Sequence, residues 1–189
     1  SASVYQVLRK KEQPQLKRGV DALNTVFLAR DREFDALKRA GNCLDDGKGH
    51  FVSLIGQAGL GKSRLTREFR KDLGERVTWL EGSCFEQTQR TSYSVFIDLI
   101  RKYLEIYEND SDDVVKQKLI LRVESLFRGS NRDLSEEIIP YIGNQLLSLR
   151  FEDNRADKVR YLDAEARRQR TFSAVKDLFT AEAKRRPLV

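Results

Sequence analysis

Eight consecutive residues carry the chemistry this chain can be read for. Gly56-Gln57-Ala58-Gly59-Leu60-Gly61-Lys62-Ser63 has the form G-x-x-x-x-G-K-[ST], a phosphate-binding loop. Glycines let successive backbone N–H groups turn inward and form a concave anion nest. A helix opening near Gly61 aims the positive end of its dipole at the same point. Lys62 is placed to reach β- and γ-phosphates, and the Ser63 hydroxyl to ligate Mg²⁺. Lys62 is therefore the candidate catalytic residue and Ser63 the candidate metal ligand. Gly56, Gln57, Ala58, Gly59, Leu60, Gly61, Lys62, Ser63 and Arg64 form the candidate nucleotide-binding run. The cofactors this chemistry calls for are ATP or ADP, with Mg²⁺.

Such a loop needs a strand before it and a helix after it. Phe51-Val52-Ser53-Leu54-Ile55 is an apolar run of strand length, and a first core strand is predicted over about 50–55. Leu65, Phe69 and Leu73 recur on one helical face, and Gly74 suits a helix end. Val77-Thr78-Trp79-Leu80 reads as a second strand, parallel to the first, with Trp79 in the core. The fold class expected is α/β: a P-loop core with a short parallel sheet and a large helical insert, incomplete at the C-terminus. The phosphate would then lie at the carboxyl end of the first strand.

The other elements follow from periodicity and caps. Asp31 sits where an N-cap would, and a helix is predicted over about 31–45. Tyr93–Tyr107 has one strongly apolar side. Ser111 caps a helix predicted over 112–128, with Val115, Leu119, Val123 and Leu126 inward. A short helical piece is predicted near 134–139, and Pro140 opens another over 140–149, since proline is tolerated in a first turn. The stretch 157–184 has no breaker and predicts one helix of about 26 residues, about 39 Å long. Pro187-Leu188-Val189 reads as the opening of a buried strand.

Composition narrows the function classes. The chain has 189 residues, 40% hydrophobic and 34% charged, enough for one domain with a sizeable core. No apolar run reaches the ~20 residues of a membrane span, and no signal peptide is visible. A cytoplasmic location is expected. Cys43 and Cys84 lack metal-ligand spacing and read as reduced thiols. The net charge of +6 is uneven. Residues 1–20 carry five basic side chains against one acidic, and residues 160–186 eight against four. Solvated helix faces and a linker account for both ends more simply than a nucleic-acid surface, which would want interleaved aromatics. The absence of Met suggests a piece of a longer protein. Residues 1–25 read as the tail of a preceding domain plus a basic linker, and 26–189 as the N-terminal part of a P-loop domain.

From about Phe27 to Val189 the chain resembles the ATPase domain of the AAA/STAND class, the type fused to class III nucleotide cyclases, to some kinases and to helix-turn-helix regulators. Phe27-Leu28-Ala29-Arg30-Asp31-Arg32-Glu33-Phe34 is similar to that family's opening motif, with Ala29 where the family has Gly and Asp31 where it usually has Glu. The loop, the Glu81-Gly82-Ser83-Cys84 segment with Thr91-Ser92-Tyr93 and Phe96, and Arg185-Arg186-Pro187-Leu188-Val189 follow in family order. The resemblance implies that Leu28 and Ala29 read the base edge and that Arg30 lies close to the nucleotide. It also places the Walker B carboxylates beyond Val189. Asp98, Asp163 and Asp177 lie on helices with no motif and read as surface charges. Hydrolysis needs a carboxylate for Mg²⁺ and another to orient water, so poor turnover is expected of these residues alone. Val4-Tyr5-Gln6-Val7-Leu8 resembles the closing strand of a class III cyclase domain.

The leading expectation is a nucleotide-dependent switch in a multidomain signalling protein, with neighbouring domains as partners and homo-oligomers allowed. A P-loop kinase of a small molecule would need an acceptor pocket with a basic lid. A nucleic-acid-handling ATPase or transcriptional regulator would use the basic residues of 160–186 on phosphates.

Overall fold

The computed structural model describes residues 30–84, 92–128, 132–153 and 158–189. Among them run six α-helices: α1 Asp31–Asn42, α2 Lys62–Leu73, α3 Ser94–Tyr103, α4 Asp112–Phe127, α5 Arg132–Tyr141 and α6 Ala164–Arg185. A 3-10 turn, Gly74–Arg76, follows α2, and a π-helical turn, Ile142–Leu146, follows α5.

The predicted parallel sheet is not formed. The described residues contain no strand, so the expected α/β core gives way to a helical one. Residues 50–55 are irregular and make no backbone–backbone hydrogen bond among the described residues. Phe51 is 96% exposed and Ile55 92%. A strand is held by ladder partners and cross-strand side chains, and an apolar run supplies neither by itself. The second predicted strand is reduced to one isolated parallel bridge, Thr78 to Leu188. There the Thr78 N–H donates to the Pro187 carbonyl at 2.8 Å, Val189 to Thr78 at 3.0 Å and Leu80 to Val189 at 2.7 Å.

Two apolar clusters hold the helices. The larger gathers α3, α4, α5, the π-turn and α6 around Ile100, Leu119, Val123, Ile138, Ile142 and Leu178, all buried. The smaller joins α1 to α2 through Leu37, Leu65, Phe69, Leu73 and Val77. The two helices meet closely at Gly41, where a Cβ would lie 3.1 Å from the Phe69 ring. Trp79 packs edge-on to Phe69, ring centroids 6.4 Å apart, in keeping with its core assignment.

Several boundaries shift for local reasons. Arg30, not Asp31, is the N-cap residue of α1, without a side-chain cap bond. Asp31 opens the helix, where an acidic side chain favours the dipole. α3 stops at Tyr103, and Glu105 turns the chain at φ 53°. Ser111 caps α4 as predicted, accepting from the Val114 N–H at 3.4 Å. Pro140 lies inside α5 instead of opening a new helix. Proline cannot donate to the carbonyl one turn back, and the Lys158 ammonium donates to that Glu136 carbonyl at 3.4 Å. The long helix begins at Ala164, not 157, because Asp163 caps it by accepting from the Ala166 N–H at 2.7 Å.

Candidate functional site

The loop and α2 form a local unit whose geometry follows from its glycines. Gly59 has φ 82° and Gly61 φ 76°, left-handed values that side chains disfavour. Gly61 is the N-cap of α2, so the chain turns directly from the loop into the helix. Lys62 is the first helical residue. Its ammonium folds back and donates to the carbonyls of Gly56 and Gln57, each at 2.7 Å. Residues 51–61 are exposed, Lys62 half-buried and Ser63 exposed. Leu65 and Phe69, one and two turns on, are buried and seat α2 on α1. The Thr66 hydroxyl donates to the Lys62 carbonyl one turn back at 3.1 Å.

Arg30 is brought to this loop from α1. Its guanidinium donates to the Leu60 carbonyl and lies 3.5 Å from the Glu33 carboxylate. The α1–α2 contact at Gly41 holds the two helices together. A further tie at the same interface is the ion pair of Lys38 with Asp72 at 3.3 Å. Arg64 turns along the helix to Glu68 at 3.5 Å. Leu28 and Ala29 lie outside the described residues.

A residue match to a known family accompanies this geometry. A family model described as AAA ATPase domain matches residues 26–189. The chain belongs to that AAA ATPase family. Comparison with curated proteins and with solved structures found no match. The AAA assignment supports a nucleotide-binding P-loop module, with Mg²⁺ as the usual companion ion.

The residues in hand suit such a ligand. Two left-handed glycines before a helix start leave backbone N–H groups free of a helical partner, and an ammonium is tied to neutral carbonyls that phosphate oxygens can replace. Among the described residues no group of three or more His, Cys, Asp or Glu side chains could hold a metal ion. Ser63 would therefore give a single hard oxygen. Mg²⁺ commonly keeps several waters and takes substrate phosphates besides one or two protein ligands, so one hydroxyl fits. None of the described helices is long and apolar enough to cross a membrane.

Some polar residues have roles that local spacing did not reveal. Asp98, read as a surface charge, accepts from the Ser83 N–H and from the Lys102 ammonium, both at 2.8 Å. Asp163 is a helix cap. Glu182, on α6, is 6% exposed. It accepts from the Tyr103 hydroxyl at 2.7 Å, from the Thr78 hydroxyl at 3.3 Å and from the Arg122 guanidinium at 3.3 Å. Arg122 also donates to the Tyr103 oxygen at 2.8 Å. Burial, followed by the bond to Glu182, pushes the Tyr103 phenol well above its ordinary value. The partners come from four separate stretches, so no single motif could have announced them.

Proposed function

We propose that this domain is a nucleotide-dependent switch within a larger signalling protein, with a nucleotide cyclase as the favoured output. The observation that carries the reading is the self-occupied loop. In the described state Lys62 is held by the Gly56 and Gln57 carbonyls and Arg30 by Leu60. A bound triphosphate offers anionic oxygens in place of these neutral acceptors, which adds the attraction of opposite charges to bonds whose donors are already cationic.

Exchange of partners would then release Lys62 and re-aim Arg30. Arg30 begins α1, so the exchange reaches α1 and the small cluster under it. ATP and ADP differ by the γ-phosphate that Lys62 would hold, which gives the two nucleotides different grips on the same helix. Ser63 would add an oxygen to Mg²⁺, whose charge would screen the phosphates. Lys62 would neutralise charge on the transferred group during any turnover.

Calorimetric titration with Mg-ATP tests the binding step. Saturable one-site binding that Lys62→Ala abolishes is expected, and equal affinity in the variant would sink the reading. Hydrogen exchange in ATP against ADP tests the switch. Different protection at α1 is expected, and identical protection with both nucleotides bound would refute the switch while leaving the binding intact.

A further inference from the structure

Away from the loop, the C-terminal ends of α2 and α6 enclose a second concavity of about 950 Å³. Six cationic side chains line it: Arg67, Arg70, Lys71, Arg122, Arg185 and Arg186. Only two carboxylates do, and one of them, Glu182, is already engaged by Tyr103, Thr78 and Arg122. Val77 and Trp79 supply an apolar part of the wall, with the Arg70 guanidinium 5.7 Å from the indole centroid.

Helix ends explain part of this charge. Arg70 and Lys71 close α2, and Arg185 closes α6, where cations suit the dipole. Arg122 belongs to the interior of α4, and Arg186 lies beyond α6. Arg186 is the C-cap of α6 and so also suits the dipole, whereas Arg122 does not. Arg185 and Arg186 are exposed and have no side-chain ion pair among the described residues. Arg70, Lys71 and Arg122 already pair with Glu81, Glu68 and Glu182. Arg185 and Arg186 face the bowl with no such partner among the described residues, and an anion there would find two charges not yet engaged.

We propose that this concavity binds a small polyphosphate anion, separately from the loop. Five of the six cations are arginine, whose planar fork pairs bidentately with phosphate oxygens. The volume falls at the upper end of small-ligand sites, roughly 300–1,000 Å³.

The chain contains one tryptophan, Trp79, in the wall of this site, so its fluorescence reports occupancy. The experiment titrates inorganic tripolyphosphate, and separately ATP, into the Lys62→Ala protein at constant ionic strength. A saturable change in Trp79 emission is expected, weakened at least about tenfold by adding Arg185→Ala and Arg186→Ala, as the loss of a charge-assisted bond implies. Lys48→Ala with Lys176→Ala removes equal charge outside the bowl and is expected to leave the titration unchanged. Circular dichroism confirms that each variant is folded. Equal responses to tripolyphosphate and ATP mean that the phosphate chain alone is recognised, and a response to ATP with a weaker one to tripolyphosphate means that the nucleoside adds to it. No saturable change, or one that the arginine variant leaves intact, overturns the proposal. So does a response to a DNA oligonucleotide with none to tripolyphosphate, which would make the bowl a nucleic-acid surface.

Discussion

The Glu182 carboxylate and the Tyr103 hydroxyl, 79 residues apart, meet at 2.7 Å in a buried setting. The bond fastens α6 to α3, and Arg122 and Thr78 join it from α4 and the bridge segment. Glu182→Ala would leave the buried Tyr103 hydroxyl without its acceptor, and one unsatisfied buried group costs about 1–3 kcal/mol. We expect a loss of about 1–3 kcal/mol by urea denaturation. Glu182→Gln keeps an acceptor oxygen and should cost less than half as much. Equal losses for the two variants would show that packing, not hydrogen bonding, sets the effect.

The same pair predicts behaviour in alkali. The folded Tyr103 phenol holds its proton well above the ordinary value of 10.0, chiefly through burial. Above about pH 10 the unfolded chain gives up that proton and the folded one keeps it. The native state then binds more protons, so stability falls as pH rises. Tyr103 contributes no pH slope below this range. Denaturation midpoints from pH 9 to 11 should therefore drop more steeply for the native sequence than for Tyr103→Phe. Parallel slopes would contradict this account.

Gly41 is expected to be intolerant of branched side chains. Its Cβ position is 3.1 Å from the Phe69 ring and 3.2 Å from Leu73. Gly41→Val forces these groups apart, and overpacking typically costs about 1–3 kcal/mol. A lower melting temperature is expected, with weaker Mg-ATP binding as α1 carries Arg30 away from Leu60. An unchanged melting temperature would show that α1 yields freely.

Gly61 separates binding from folding. At φ 76° an added Cβ costs roughly 1–2 kcal/mol, in an exposed loop outside both cores. Gly61→Ala should lower the melting temperature by only a few degrees yet weaken Mg-ATP binding several-fold. Native affinity in the variant would mean that the loop can rearrange at no cost.

How much of this was readable in advance depends on distance along the chain. The loop was legible because its residues are contiguous and each type has a stated task. α2 and α4 were legible because Leu65, Phe69 and Leu73, and Val115, Leu119 and Val123, repeat at helical spacing. The sheet was misread because Phe51–Ile55 has strand composition but no ladder partner among the described residues, a property of the surroundings. Pro140 was misread because its freed carbonyl finds Lys158, 22 residues on. The contacts of Arg30 with Leu60 and of Glu182 with Tyr103 leave no local pattern at all. The basic count in 160–186 was visible, but its convergence with α2 and α4 was not.

The Thr78–Glu182 bond spans 104 residues, and that separation has a kinetic meaning. Closing so long a loop costs entropy before the contact repays it, whereas the helices need only local bonds. The network should therefore form after the rate-limiting step, as a late latch on a helical assembly that is already compact. Weakening it with Glu182→Gln is expected to speed unfolding and leave the refolding rate nearly unchanged. Stopped-flow refolding that slows in proportion to the lost stability would place the latch in the nucleus instead. A late latch gives the domain its lifetime in the folded state, while local helix formation sets how quickly it gets there.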